Sequence, residues 1–384
     1  MARTRSPLAD VPIVDGHCHP PLRPPPPAPA AESRAWLLER FTESRDPRQV
    51  RDHVPHTLYF QRALRDLAAF YDCAPELDAV MAARQALAPA ELLRRCVERG
   101  GVGALVVDGG YRAADSYSVG ELNALLPPPC RAWPLLRVEP LLEDLIAASP
   151  SFAALEKDFA LALADLRGAS YVGLKTIVAY RSGLALGRPD RQAAAAAFPA
   201  LRAAARAGAR RLSNKPLLDY FLGQAFAAAG RQQLPVQVHT GFGDADLDLL
   251  QANPLLLRPA LEAGAFAGAP VVLLHCYPYL REAGYLASLY ADVYVDLSLS
   301  VPLLGPACQR AVAEALELAP ATKVLYGSDA AGLAESVWLG AIAIRRALAA
   351  ALGDWLRAGA LTAAEAERLA ERVLHVNARA LYGL

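Results

Sequence analysis

This 384-residue sequence lacks a net charge, because 39 Lys and Arg balance 39 Asp and Glu. Without a basic excess there is no electrostatic footprint for nucleic acid or for an anionic membrane surface. The sequence also has no apolar run near the ~18–20 residues needed to span a bilayer. The opening residues, Met1-Ala2-Arg3-Thr4-Arg5-Ser6-Pro7, lack the apolar stretch of a secretory signal. A cytosolic protein with no nucleic-acid and no membrane partner is therefore expected. The six cysteines (Cys18, Cys73, Cys96, Cys130, Cys276 and Cys308) lie far apart and form no Cys-x-x-Cys pair. That spacing argues against a disulfide frame and for reduced thiols.

Apolar side chains, by contrast, are abundant at 54% of the residues. A chain of this length can bury one large α/β barrel or two smaller domains. Short β-branched runs recur at Val11–Asp15, Gly103–Asp108, Ala132–Glu139, Ser170–Val178, Pro235–Thr240, Pro270–Cys276, Asp292–Ser298 and Lys323–Asp329. Several are apolar without alternation, as in strands buried on both faces of a parallel sheet. Ala/Leu/Arg/Glu-rich stretches such as Leu142–Ala148, Phe152–Leu166, Arg191–Ala207 and Leu249–Glu262 read as helices between them. Eight strand–helix alternations predict an α/β fold of the (β/α)8 TIM-barrel type, a single barrel over residues 1–384. Thr362-Ala363-Ala364-Glu365 reads as a capping box that opens the closing helices.

One connection is too long for a βα loop. Residues 21–101 separate the first two strands, opening with the Pro/Ala tract Pro24–Ala31. Helices are expected there at Arg34–Phe41, His56–Tyr71, Pro75–Leu87 and Pro89–Arg99. An insertion after strand one sits on the catalytic face of a barrel, so it reads as a cap, or alternatively as a packing or oligomerisation appendage. A homo-oligomer is left open.

Four of the seven histidines fall at strand ends. His17 and His19 follow strand one in Val14-Asp15-Gly16-His17-Cys18-His19-Pro20, His239 ends strand five and His275 ends strand six. Residues two apart on a strand share a face, so the His-x-His pair can reach one point. Neutral imidazoles converging at a barrel mouth suit a divalent cation. Asp329 ends strand eight, where a carboxylate can bind metal or take a proton from water; capping the next helix is its bland alternative. Cys18 and Cys276 adjoin these residues but face the other way, and neither is expected to be a nucleophile. His53, His56 and His375 fall in helix-rich regions and read as surface or packing residues.

These segments, together with Gly173-Leu174-Lys175-Thr176-Ile177-Val178-Ala179-Tyr180-Arg181-Ser182-Gly183-Leu184, His239-Thr240-Gly241-Phe242-Gly243-Asp244 and Arg281-Glu282-Ala283-Gly284-Tyr285, resemble the metal-dependent amidohydrolase superfamily. Within it the sequence is most similar to the amidohydrolase domain fused to glutamine synthetase in fungal FluG-like and plant nodulin-like proteins. The resemblance spans nearly the whole chain. It implies metal ligation by His17, His19, His239 and Asp329. In mononuclear members the His275 position orients or deprotonates water. In binuclear members His239 and His275 serve a second ion, and a carboxylated lysine on strand four bridges the pair.

Lys175 occupies that strand, where an unpaired ammonium is poorly tolerated. Carboxylation would make it an anionic metal ligand. A salt bridge to Asp15, Asp329 or a substrate carboxylate is the alternative. Asp108, Arg137, Tyr180 and Arg181, with Glu139, fall at other strand ends and read as substrate-binding or loop-holding residues. An arginine among them suggests a carboxylate on a small-molecule substrate.

The expected chemistry is hydrolysis of an amide, ester or lactone bond by water activated on one or two divalent ions, with zinc the expected metal and Asp329 and His275 catalytic. The rivals are a metal-dependent decarboxylase or isomerase of the same fold and a non-catalytic regulatory module.

Overall fold

The structure, a computed structural model, describes residues 8–23, 30–110, 115–209 and 211–384. The opening residues read above for a secretory signal, and residues 24–29 of the Pro/Ala tract, lie outside them.

All eight expected strands form: β1 (Ile13–Cys18), β2 (Val102–Asp108), β3 (Arg131–Arg137), β4 (Gly173–Thr176), β5 (Val236–Thr240), β6 (Val271–His275), β7 (Val293–Asp296) and β8 (Val324–Leu325). They pair in parallel and in chain order. The seam between first and last is bridged by backbone bonds from Gly16 N to Tyr326 O at 2.9 Å, Asp329 N to His17 O at 2.9 Å and His19 N to Ala330 O at 2.8 Å. The fold is a (β/α)8 barrel.

Two apolar layers explain the unalternated strands. Val14, Ala104, Val106, Leu135, Val272, Leu274 and Leu325 pack together as one cluster. Their neighbours Ile13, Leu105, Val107, Val238, Leu273 and Val295 belong to the main core, which includes helix residues such as Phe221 and Leu286. Each fully buried Val or Leu contributes about 1.5–3 kcal/mol.

The register of β1 against β2 slips where it matters most. Asp15 pairs with Leu105 and Cys18 with Val107, so β1 carries one extra residue between them. The slip lets Cys18 rejoin the Ile13 layer of the core while His17 turns to the barrel mouth.

The stretch expected as one helix over 249–262 is broken. Single 3-10 turns run Leu249–Ala252 and Pro254–Leu257, and only Arg258–Glu262 is α-helical. Pro254 and Pro259 each remove a backbone donor, and the Asp248 and Asn253 side chains cap new starts by accepting from Leu250 N and Leu255 N.

Between β1 and β2 lie helices Ala30–Leu38, Pro47–Asp52, Leu58–Tyr71 and Leu77–Gln85, then Pro89–Gly100. Only the earlier ones build a separate small core, from Leu37, Phe41, Val54, Phe60, Leu67 and Val80, closed by Leu333 and Leu339 beyond β8. Pro89–Gly100 instead commits Leu92, Leu93, Cys96 and Val97 to the barrel's main core. The insertion is tied down by Glu335, which accepts from Tyr71 Oη and Arg84 Nε, each at 2.6 Å.

Helix Glu335–Arg357 is long and apolar enough to span a bilayer on length and composition alone. Here it is a core helix: Ile344, Leu348 and Leu352 are buried in the main core, and Arg345 is buried with bonds to the Leu8, Val11 and Gly100 carbonyls. The capping box at Thr362 and Glu365 forms as expected.

Candidate metal centre

His17, His19, Lys175, His239, His275 and Asp329 all line one cavity of about 410 Å³ at the C-terminal mouth of the barrel. Nearest donor atoms of His17, His275 and Asp329 lie within 4.8 Å of one another. Asp329 Oδ1 stands 3.1 Å from His17 Nε2 and 3.5 Å from His19 Nε2. Ligand atoms sharing one tetrahedral ion at ~2.1 Å would lie ~3.4 Å apart, so these spacings suit a common cation.

The partners of the rings fix which nitrogen is free. His17 Nδ1 meets Gln237 Oε1 at 2.7 Å, and the Gln237 amide nitrogen donates to the Gly16 carbonyl and the Tyr382 hydroxyl. His19 Nδ1 meets the Asp108 carbonyl at 3.0 Å. Both partners accept only, so each Nδ1 carries the proton and each Nε2 offers a lone pair. For His275, the Ser298 hydroxyl lies 3.0 Å from Nδ1 and donates its hydrogen to Asp296 Oδ1. It therefore accepts from Nδ1, and Nε2 is again unprotonated.

Four buried polar atoms on residues lining this cavity make no hydrogen bond: the ligand-type atoms His17 Nε2, His239 Nε2 and Asp329 Oδ1, and the guanidinium Nε of Arg181. The 3.1 Å approach of His17 to Asp329 lacks hydrogen-bond alignment. Unmatched buried polar atoms are costly and call for a partner. Unprotonated imidazoles and a carboxylate fit a divalent cation.

Electrostatics agree with that donor set. Burial pushes the His17 ring down to about 4, with Lys175 adding to the shift. Burial likewise holds His239 and His275 well below the usual imidazole range. Burial alone would raise the Asp329 carboxyl, but His275, His17 and His19 outweigh it and hold the group well below the usual carboxylate range.

The backbone is strained at the same places. His275, Cys276, Leu299 and Asp329 all have positive φ, at 66°, 62°, 58° and 49°. Such residues cost about 1–3 kcal/mol each and persist where surroundings over-determine them. The Ser300 hydroxyl does part of this by donating to the His275 carbonyl at 2.6 Å.

Lys175 is buried beside Arg137 in the sheet register, and its ammonium donates to no described residue. Burial pushes it down to about 8. No ion pair joins it to Asp15, whose carboxylate instead accepts from Ser328 N at 2.8 Å and Ser328 Oγ at 2.5 Å.

Asp108 does not face the cavity as its strand-end position suggested. Its oxygens are fully buried and taken up by Arg137 Nε at 2.9 and 3.1 Å, Arg137 Nη2 at 2.5 Å and Gly110 N at 3.0 Å. Burial would raise it, but the guanidinium wins and holds it well below the usual range. It serves as the counter-ion of Arg137, and one of its oxygens also lies within 4.8 Å of ring nitrogens of His17 and His19. Glu139 is only half taken up: its Oε1 accepts from Thr176 Oγ1 at 2.5 Å and Ile177 N at 2.9 Å, while its buried Oε2 has no hydrogen bond. Arg137, Tyr180 and Arg181 do line the cavity. The Tyr180 ring packs on His239 with centroids 4.5 Å apart.

Sequence reasoning missed Gln237, Asp296 and Ser298, as well as Glu43 and Arg45, which reach the cavity from the insertion. Gln237 had a signal: it stands two residues before His239 on the same strand face. Glu43 and Arg45 had none, because a loop in an insertion has no strand register to place it.

The family model described as Amidohydrolase matches residues 162–384. Protein fluG of Emericella nidulans is 30% identical over 372 residues, 86% of this chain. The chain spans 41% of that relative's length. A protein of Lactobacillus casei ATCC 334, described as a metal-dependent hydrolase, has a solved structure 30% identical with a TM-score of 0.87, covering 98% of this chain and 97% of that one. The uronate isomerase of Thermotoga maritima, 14% identical with a TM-score of 0.66, covering 97% of this chain and 95% of its own, shares the fold.

Proposed function

Because the chain belongs to the amidohydrolase family, we propose that the barrel-mouth cavity is the active centre of a divalent-metal-dependent hydrolase acting on an amide, ester or lactone bond of a small substrate. The observation that carries this reading is the set of three buried, unbonded donor atoms on one cavity: His17 Nε2, His239 Nε2 and Asp329 Oδ1. His19 and His275 complete the donor set, and zinc suits its mixture of imidazole and carboxylate. When bound, such a cation supplies Lewis-acid chemistry, polarising a carbonyl and making water acidic near pH ~7.

The chain's own residues divide the remaining work. Asp329, ionised and partly exposed to the cavity, accepts the proton of the attacking water and returns it to the leaving group. His275, its Nδ1 fixed by Ser298, presents the Nε2 lone pair that orients the water. Tyr180 holds His239 by ring packing. Glu43 and Arg45 from the insertion line the cavity and limit what enters. Lys175 joins the metal centre in this reading: its lowered pKa leaves free amine near neutral pH, the form that captures carbon dioxide to become an anionic ligand.

Hydrolysis in ¹⁸O-water of amide, ester and lactone panels, with metal analysis, tests this reading. One ¹⁸O in the product carboxylate is expected, with activity lost on chelation and restored by zinc. A product formed without label, or full activity in metal-free protein, overturns it.

A further inference from the structure

Five cationic side chains line the cavity: Arg45, Arg137, Lys175, Arg181 and Arg211. Three already have carboxylates. Arg45 stands 3.5 Å from Asp244, Arg137 grips Asp108, and Arg211 pairs with Asp246 while donating to the Tyr180 carbonyl at 2.6 Å. Lys175 is assigned above to the metal centre.

Arg181 is different. Its nearest carboxylate oxygen, Glu143 Oε1, is 3.7 Å away, beyond hydrogen-bond reach. That same oxygen already accepts from Leu212 N at 3.0 Å. The Arg181 Nε is buried with no partner at all, on a side chain only 15% exposed. A buried charged donor without an acceptor is costlier than a neutral one. Burial, Arg211 and Arg137 together hold the Arg181 guanidinium below the usual arginine range, against the opposing pull of Glu143 and Glu139. Arg181 therefore lines the cavity with no carboxylate within hydrogen-bond distance among the described residues.

The edge of a guanidinium matches a planar anion with two oxygens. A phosphate would ask for more donors than the neighbouring arginines have free. We propose that Arg181 anchors a free carboxylate of the substrate through its guanidinium, so that the substrate class is a mono-amide, mono-ester or lactone derivative of a dicarboxylic acid. One carboxyl is masked at the scissile bond and the other is held by Arg181. This assignment rests on the hydrolytic reading of the same cavity.

The test uses zinc-loaded protein and product-like probes in calorimetric titration. Succinate, glutarate and adipate are compared with propionate, butyrate and valerate, which lack the second carboxylate. At least one diacid is expected to bind tenfold or more tightly than its mono-acid. Arg181→Met should erase that preference while zinc content and mono-acid affinity stay as in wild type, and Arg181→Lys should keep part of it. No preference in zinc-bearing wild type, or one that survives Arg181→Met, overturns the assignment while leaving the metal centre intact. Protein that takes up no zinc sinks both readings, so metal content separates the two failures.

Discussion

Gln237 Oε1 accepts the Nδ1–H of His17 at 2.7 Å across 220 positions of sequence. Through its amide nitrogen the same side chain reaches Gly16 and Tyr382, linking β1, β5 and the C-terminal helix at one point. Partners of this kind set the tautomer and direction of a metal-binding ring. Gln237→Leu should weaken zinc binding about 10–100-fold with the fold retained. Chelator-competition titration would show it; unchanged affinity would remove Gln237 from the site.

Ser298→Ala takes the acceptor from His275 Nδ1 and strips Asp296 Oδ1 of its hydroxyl donor. A fall in turnover of about 10–100-fold is expected, with partial rescue by Ser298→Thr. Steady-state kinetics beside metal analysis would separate lost orientation from lost metal.

The acid limb of metal-free stability should report on His17. Its ring is pushed down to about 4 by burial, against an ordinary 6.5, so the unfolded chain binds the proton first as pH falls. The contribution is fully present above about pH 6.5 and is lost as pH drops through 4, a swing on the order of 3 kcal/mol. Denaturant midpoints of chelated protein between pH 7 and 4 should decline, and His17→Gln should flatten that decline. Parallel curves for the two proteins would refute the assignment.

Barrel and site were legible to different depths. Most of the strands could be read because both faces are buried, which leaves runs of Val, Leu and Ile that no amphipathic helix would show; β3 is only partly buried. His17, His239, His275 and Asp329 were legible because barrel geometry sends every strand end to one mouth. What pairs with what was not. Asp108 and Lys175 look alike as buried charges at strand positions, and only the reach of Arg137 from β3 to β2 consumes one and leaves the other. The 249–262 stretch misled because its leucines repeat at helical spacing while Pro254 and Pro259 interrupt the bonding.

Glu335 is the anchor of the insertion. It is almost fully buried and accepts from Tyr71 and Arg84, so Glu335→Ala strands Arg84 without its counter-charge. About 3–5 kcal/mol of docking should be lost. Limited proteolysis should then cut within residues 30–85 well before the barrel, which keeps its circular dichroism. Equal cutting rates in both proteins would show that the small core and the Arg346–Asp66 pair hold the insertion without Glu335.

The seam between β1 and β8 also sets a timetable. Asp15 clasps Ser328 across it, and His17 and Asp329 face one another just beyond. A nascent chain released as far as β7 owns every imidazole of the site but not the carboxylate, and its sheet is still an open ribbon. Capture of a cation by the full donor set therefore waits until β8 and Asp329 have emerged. Once seated, the ion would act as a rivet through the last joint to close.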